Sequence, residues 1–234
     1  MEISQNIKEK TGIKLSYDFI TCVRGMNSHP LSDLEFLINC FPVNHLSVYS
    51  LTPSENAPLF KNGRYRELTE KTQAEMLKKT WLYLKENNFR HYEVSNFAKN
   101  NEVSKHNMVY WNYEQFVGIG PSASGTSFRN DNVFRITGRA DIKAYINGNI
   151  LTEYDIESLT SEQQCEELIM LGSRTDSGIN LDRLQSEFGY EITKIPDYYK
   201  KINNCIVPDG DLGFLFSDSA LKTMLFNMDK SSYL

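Results

Sequence analysis

The sequence predicts an α/β fold over residues 1–150, followed by a small α+β module over residues 151–234. Three observations carry this. Ile13 to Ile20 alternates apolar and polar side chains with period two, the pattern of a half-buried strand. Thr69 to Asn88 repeats Ala74, Leu77, Trp81 and Leu84 along one helical stripe, with Lys and Glu around the rest. Thr160 to Gln163 has the form of a capping box, in which the two side chains satisfy each other's backbone donors at a helix start.

Taken in order, Leu15, Tyr17 and Phe19 continue the alternation that Ile13 begins, and Asp18 lies on the polar side. After Pro30, Leu31, Leu34, Leu37 and Ile38 recur at helical spacing, and Asp33 and Glu35 sit near the helix start, where acids suit the dipole. His45 to Leu51 is a short strand closed by Pro53, and the helix from Thr69 stops at Asn87-Asn88. His91 to Val94 adds another strand. Strand and helix in alternation imply parallel strands with crossover helices. The architecture changes after about Ile150. The capped helix carries Cys165, Leu168 and Ile169 and ends near Gly172; a turn through Gly178 leads to a second helix with Leu181, Leu184 and Phe188, stopped by Gly189. A hairpin is expected around Pro208-Asp209-Gly210 and a last helix from Ser217 to Met228, an order similar to a winged helix.

Bulk properties narrow the function. The 234 residues are 40% hydrophobic and 12% aromatic with a net charge of −5, enough for a sizeable core and too apolar for a disordered chain. The mild acidity gives no electrostatic footprint for nucleic acid. No run approaches the roughly 18 apolar residues of a membrane span, and Met1 to Thr11 has no apolar signal region, so a cytoplasmic protein is expected. Cys22, Cys40, Cys165 and Cys205 are scattered, and no CxxxCxxC loop of the kind that holds an iron–sulfur cluster is present. No metal ligand set is expected.

Three stretches are too unusual to be scaffold alone. Tyr92-Glu93-Val94-Ser95-Asn96-Phe97-Ala98 runs a strand into a polar turn. His106-Asn107-Met108-Val109-Tyr110-Trp111 packs imidazole, amide, phenol and indole into six residues. Val117 to Gly125 places Gly118 and Gly120 where a backbone can approach a ligand closely. Each has an ordinary reading too: Tyr110 and Trp111 as core anchors, His106 as a structural histidine, and a GxG that lacks the third glycine of a dinucleotide fingerprint.

Their order and spacing resemble the oxygen-independent coproporphyrinogen III oxidase / heme chaperone family of radical-SAM proteins, in the series Y-E-V-S-N-F-A, S-x-H-N-x-x-Y-W and V-G-I-G-P-S-A-S. Leu46-Ser47-Val48-Tyr49-Ser50-Leu51-Thr52-Pro53 and the run from Glu167 to Ile179 match two further family segments, so the resemblance covers nearly the whole chain. It implies the last strands of a partial (β/α)6 radical-SAM barrel, with Met1 to Lys10 as the tail of a crossover helix, followed by a winged-helix-like domain. It implies a link to heme or porphyrin biosynthesis or delivery. The family uses a [4Fe–4S] cluster and S-adenosylmethionine; Asp18 takes the position of the carboxylate that accepts the ribose hydroxyls, at a strand end. Thr52, Ser124, Gly118 and Gly120 fall at further cofactor-binding positions. The family's G-L-P-G-Q turn reads Cys22-Val23-Arg24-Gly25-Met26 here.

The resemblance leads to a truncated relative that is not catalytic alone, with self-association or a partner supplying the missing half-barrel. Two alternatives stand beside it: half of a split enzyme, and a heme-binding module in which His106 ligates iron while Tyr110 and Trp111 offer flat faces. A nucleic-acid module is disfavoured, because Leu181 to Phe188 sets Asp182 and Glu187 beside Arg183.

Overall fold

The computed structural model describes residues 6–7, 10–23, 30–52, 57–61, 68–130, 132–148 and 154–230. They divide into two compact units, Met1–Ser104 and Lys105–Leu234. Most of Met1 to Lys10, together with Arg24 to Met26 and Pro53, lies outside the described residues.

The first unit runs β1 (Ser16–Thr21), α1 (Pro30–Cys40), β2 (His45–Ser50), α2 (Pro58–Lys61), α3 (Glu70–Glu86), β3 (Arg90–Glu93) and β4 (Asn96–Ala98). The alternation in the sequence becomes burial: Phe19 is inside while its neighbours Asp18 and Ile20 are exposed. The Thr69 side chain accepts the Thr72 N–H at 3.2 Å and so caps α3, and Trp81 and Leu84 from its apolar stripe are buried. β1 and β2 pair in parallel, as expected. The sheet is nevertheless mixed: its order is β1-β2-β4-β3, and β4 is antiparallel to both neighbours. The segment read as a strand running into a polar turn is a hairpin, in which Val94-Ser95 folds Asn96–Ala98 back between β2 and β3. Cross-strand partners share a face, so Phe19, Val48, Leu46 and Phe97 form one apolar surface, all of it buried. His91 stacks on Phe97 and meets Trp81 of α3.

The second unit contains α4 (Lys105–Trp111), β5 (Ser124–Arg129), β6 (Asn132–Gly138), α5 (Ile142–Ile146), β7 (Tyr154–Leu159), α6 (Ser161–Gly172), β8 (Ile179–Asn180) and α7 (Leu181–Phe188). It ends with β9 (Tyr190–Ile192), β10 (Tyr199–Ile202), β11 (Cys205–Pro208), α8 (Asp211–Leu215), α9 (Ser217–Phe226) and β12 (Met228–Lys230). β5, β6 and β7 form an antiparallel meander. The change of architecture read at about Ile150 lies inside this meander, and a cut there would part β6 from β7, which pair from Gly138↔Tyr154 onward.

The capping box at Thr160 and Gln163 is present with both bonds. Gly189 ends α7 in the left-handed region at φ 71°, where a side chain would be strained. Cys165, Ile169, Leu184, Ile206 and Met224 form the centre of this unit's core. The last helix ends at Phe226 and not at Met228, which opens β12, and the hairpin also differs from expectation. The hairpin does not turn at Pro208-Asp209-Gly210; it turns at Asn203-Asn204, whose positive φ values of 47° and 60° suit the tight primed turns that join β10 to β11. Pro208 ends β11, and Gly210 is the residue that caps the start of α8.

Candidate functional site

The polar face of the first sheet is built by register. Asp18 lies opposite Ser47, Ser47 opposite Asn96, and Asn96 opposite Glu93, which makes one row across all four strands. Asp18 is the third residue of β1 and exposed, so it lies mid-strand and not at the strand end, because β1 continues to Thr21. Below the row, the Tyr92 hydroxyl lies 2.7 Å from His45 Nε2, and the other ring nitrogen of His45 lies 2.6 Å from Ser16 Oγ. The Ser104 N–H donates to the Tyr92 hydroxyl at 3.2 Å, which leaves that hydroxyl's own proton for the imidazole. Burial pulls the His45 pKa below its ordinary value despite the Asp18 charge, so the ring bridges three strands as a neutral group. Burial raises the Tyr92 phenol to about 12.

Glu93 is the anomaly. It is fully buried. Burial pushes its carboxyl above the ordinary range, outweighing the hydrogen bonds from Ser95 and Asn96. The Ser95 amide donates to Oε2 at 3.1 Å, while Oε1 and the Asn96 Oδ1 have no hydrogen-bond partner among the described residues. The sequence singled out this segment without giving Glu93 or Asn96 a role, and it read His45 only as a strand residue. The signal available was a carboxylate and an amide at strand positions, where apolar residues are the norm.

The other candidates lie in the second unit, except Thr52, which is exposed just past β2 and donates to Ser50 O at 3.5 Å. His106 is exposed on α4, and Tyr110 one turn later brings its hydroxyl to 2.7 Å from His106 Nε2. Trp111 is half-buried. The Tyr110 ring meets Phe116 edge-on with centroids 4.5 Å apart, and Phe116 walls a cavity of about 570 Å³ over β5 and β6. The structure therefore joins His106 and Tyr110 to this cavity through Phe116.

The glycines read as room for a ligand have a different first reason. A Cβ on Gly118 would lie 2.4 Å from the Ser124 carbonyl oxygen, so Gly118 lets its loop lie against β5. Gly120, at φ +117°, has nothing within 4 Å of that position. Ser124 lies 3.0 Å from the Thr137 hydroxyl across the strand pair. Glu167 and Arg174 of the C-terminal motif hold the fold: Arg135 grips Glu167 with two bonds of 2.6 and 2.7 Å, and Arg174 reaches Asp218 at 2.6 Å. Arg183 is engaged by Glu187 at 2.9 Å and by the Asn112 carbonyl at 3.0 Å.

The residues present do not fit an iron–sulfur cluster. Cys22 and Cys165 are buried, Cys165 has its thiol pushed up to about 12 by burial, and among the described residues no three His, Cys, Asp or Glu side chains converge. No helix among the described residues is long and apolar enough to cross a membrane.

Comparison with known proteins places these features in context. The heme chaperone HemW of Bacillus subtilis is 29% identical over 223 residues, which cover 90% of this chain and 52% of that protein. The chain is a homologue of the HemW heme chaperones. HemW of Lactococcus lactis is 30% identical over 195 residues, 80% of this chain and 50% of its own. The mitochondrial radical S-adenosyl methionine domain-containing protein 1 of zebrafish (Danio rerio) is 44% identical over 85 residues, 35% of this chain and 19% of that protein. The chain thus spans about half the length of the bacterial HemW relatives. Coproporphyrinogen III oxidase (HemN) from Escherichia coli, a radical-SAM enzyme, shares the mixed α/β fold with a TM-score of 0.70 at 11% identity, over 100% of this chain and 58% of that one. No family model matches the chain.

Proposed function

We propose that this chain corresponds to the C-terminal portion of a HemW-like radical-SAM protein and binds heme through α4. The observation that carries this reading is the exposed His106 imidazole, paired with Tyr110 and followed by Trp111, in a chain that matches a heme chaperone over 223 residues. His106 Nε2 would ligate iron by exchanging its bond with the Tyr110 hydroxyl, and the aromatic line through Phe116 would flank the macrocycle. In this reading the first sheet is the end of a radical-SAM barrel, Asp18 would accept the ribose hydroxyls of S-adenosylmethionine, and the elements from α6 onward form the winged-helix-like domain. The scattered cysteines support a chain that does not perform reductive cleavage by itself and draws its cluster from another polypeptide or another segment.

Hemin titration tests the heme reading. The Soret band is expected to shift and sharpen at one equivalent, and His106→Ala is expected to abolish the histidine-ligated component of that shift while far-UV circular dichroism stays unchanged. An unshifted Soret band in the parent protein would discard it.

A further inference from the structure

An antiparallel sheet with one solvated face alternates apolar and polar residues, and the β5–β6–β7 meander breaks that rule. Register puts Val133 beside Leu159 and Thr126 beside Arg135, and this inner face is buried at Thr126, Val133 and Leu159. The opposite face should then be polar. It carries instead Ile136 between Gly125 and Ile156, with Phe134 and Tyr154 in flanking pairs. Ile156 is 67% exposed, and Val117 on the adjoining loop is 82% exposed.

Two hollows lie on this face. One of about 570 Å³ is walled by Phe116, Val117 and Tyr154, and one of about 530 Å³ by Phe134 and Ile156; Ser127, Arg129 and Ile136 line both. Each is within the roughly 300–1,000 Å³ of small-molecule sites. The shared residues make them one groove. Gly125 is what opens it: a side chain there would meet the Phe116 carbonyl at 2.9 Å and displace the loop that forms the wall. Arg129 is the cation of the groove, and no carboxylate among the described residues forms an ion pair with it.

We infer that this open sheet face is a binding groove for a flat apolar molecule bearing a carboxylate or similar anion. The branched and aromatic side chains cover the molecule's face, and Arg129 takes its anionic edge with a two-pronged bond. The groove binds through its sheet face and Arg129 and not through His106, although Phe116 borders both. It rests on the heme reading only in the choice of probe.

The probes are metal-free protoporphyrin IX, a flat dicarboxylate with no iron for a histidine to hold, and an anilinonaphthalene sulfonate, each followed by fluorescence on the full chain. Saturable binding is expected, weakened about tenfold in Arg129→Gln and about fivefold in Ile156→Thr. Lys201→Glu, a larger charge change at an exposed position of β10, is expected to leave it unaltered. Both groove positions are on an open face, so folding is checked by circular dichroism and is expected to be unchanged. Absence of saturable binding, or affinities within twofold of the parent in both groove variants, would overturn the inference. Protoporphyrin binding that persists without any histidine-ligated hemin Soret band would uphold the groove and remove the heme reading.

Discussion

The sheets of the two units depart from the ordinary distribution of side chains in different ways. The first buries polarity: His45, Ser47, Glu93 and Asn96 are all inside. The second exposes apolar surface: Val117, Ile119 and Ile156 are each at least two-thirds open. Burying a carboxyl with an open acceptor costs stability, and an apolar face left in water gains none. Neither feature is needed to make a sheet. In the first unit the polar row is held by hydrogen bonds and register, so its geometry is fixed. In the second the groove is held by the strands beneath it, and its lining can vary without loosening them.

That contrast can be broken at Tyr92. Tyr92→Phe removes the hydroxyl that serves both His45 and the Ser104 amide, and it is expected to cost about 2 kcal/mol in urea unfolding. A cost below about 0.5 kcal/mol would show that the buried polar chain contributes nothing to the first unit. Glu93 sharpens the same side. Its folded pKa is raised above the ordinary value of 4.5, so the folded state holds the proton more tightly than the unfolded chain. Stability is then highest below the unfolded value and falls as pH rises through the folded one, with a slope of at most about 1.4 kcal/mol per pH unit. Glu93→Gln is expected to flatten that part of the stability–pH curve, and an unchanged curve would assign the slope elsewhere. The smallest effect is expected on the other side: Ile156→Thr should alter stability by less than about 0.5 kcal/mol. A loss above about 1 kcal/mol would mean that the open face holds the meander together and is no groove.

Several elements were legible because their signals are local. The capping box at Thr160, the stop at Gly189 and the stripe on α3 each depend on residues within one or two turns of one another. The hairpin at Asn203-Asn204 was missed because Pro208-Asp209-Gly210 offers a stronger turn signal, which the chain spends on ending β11 and starting α8. The strand β4 was missed because three residues, Asn96–Ala98, are too few to show a period. Of the candidate site, the aromatic helix was readable as a motif, since His106 and Tyr110 meet at the i, i+4 spacing of one helix. The groove was not, because it is assembled from alternate residues of three strands whose pairing no local pattern announces.

The sequence by itself determined the α/β character, the helix ends, the set of residues that resemble heme chaperones, and the scattering of four cysteines, since all of these follow from residue type and near-neighbour spacing. Only the tertiary structure decided that Asp18 shares a row with Ser47, Asn96 and Glu93, that Gly118 makes room for a backbone strand, and that Ile136 and Ile156 form an open face around Arg129. The physical reason is register. A shift of one residue in strand pairing turns every side chain to the opposite face, and pairing is fixed by contacts between segments far apart in the chain.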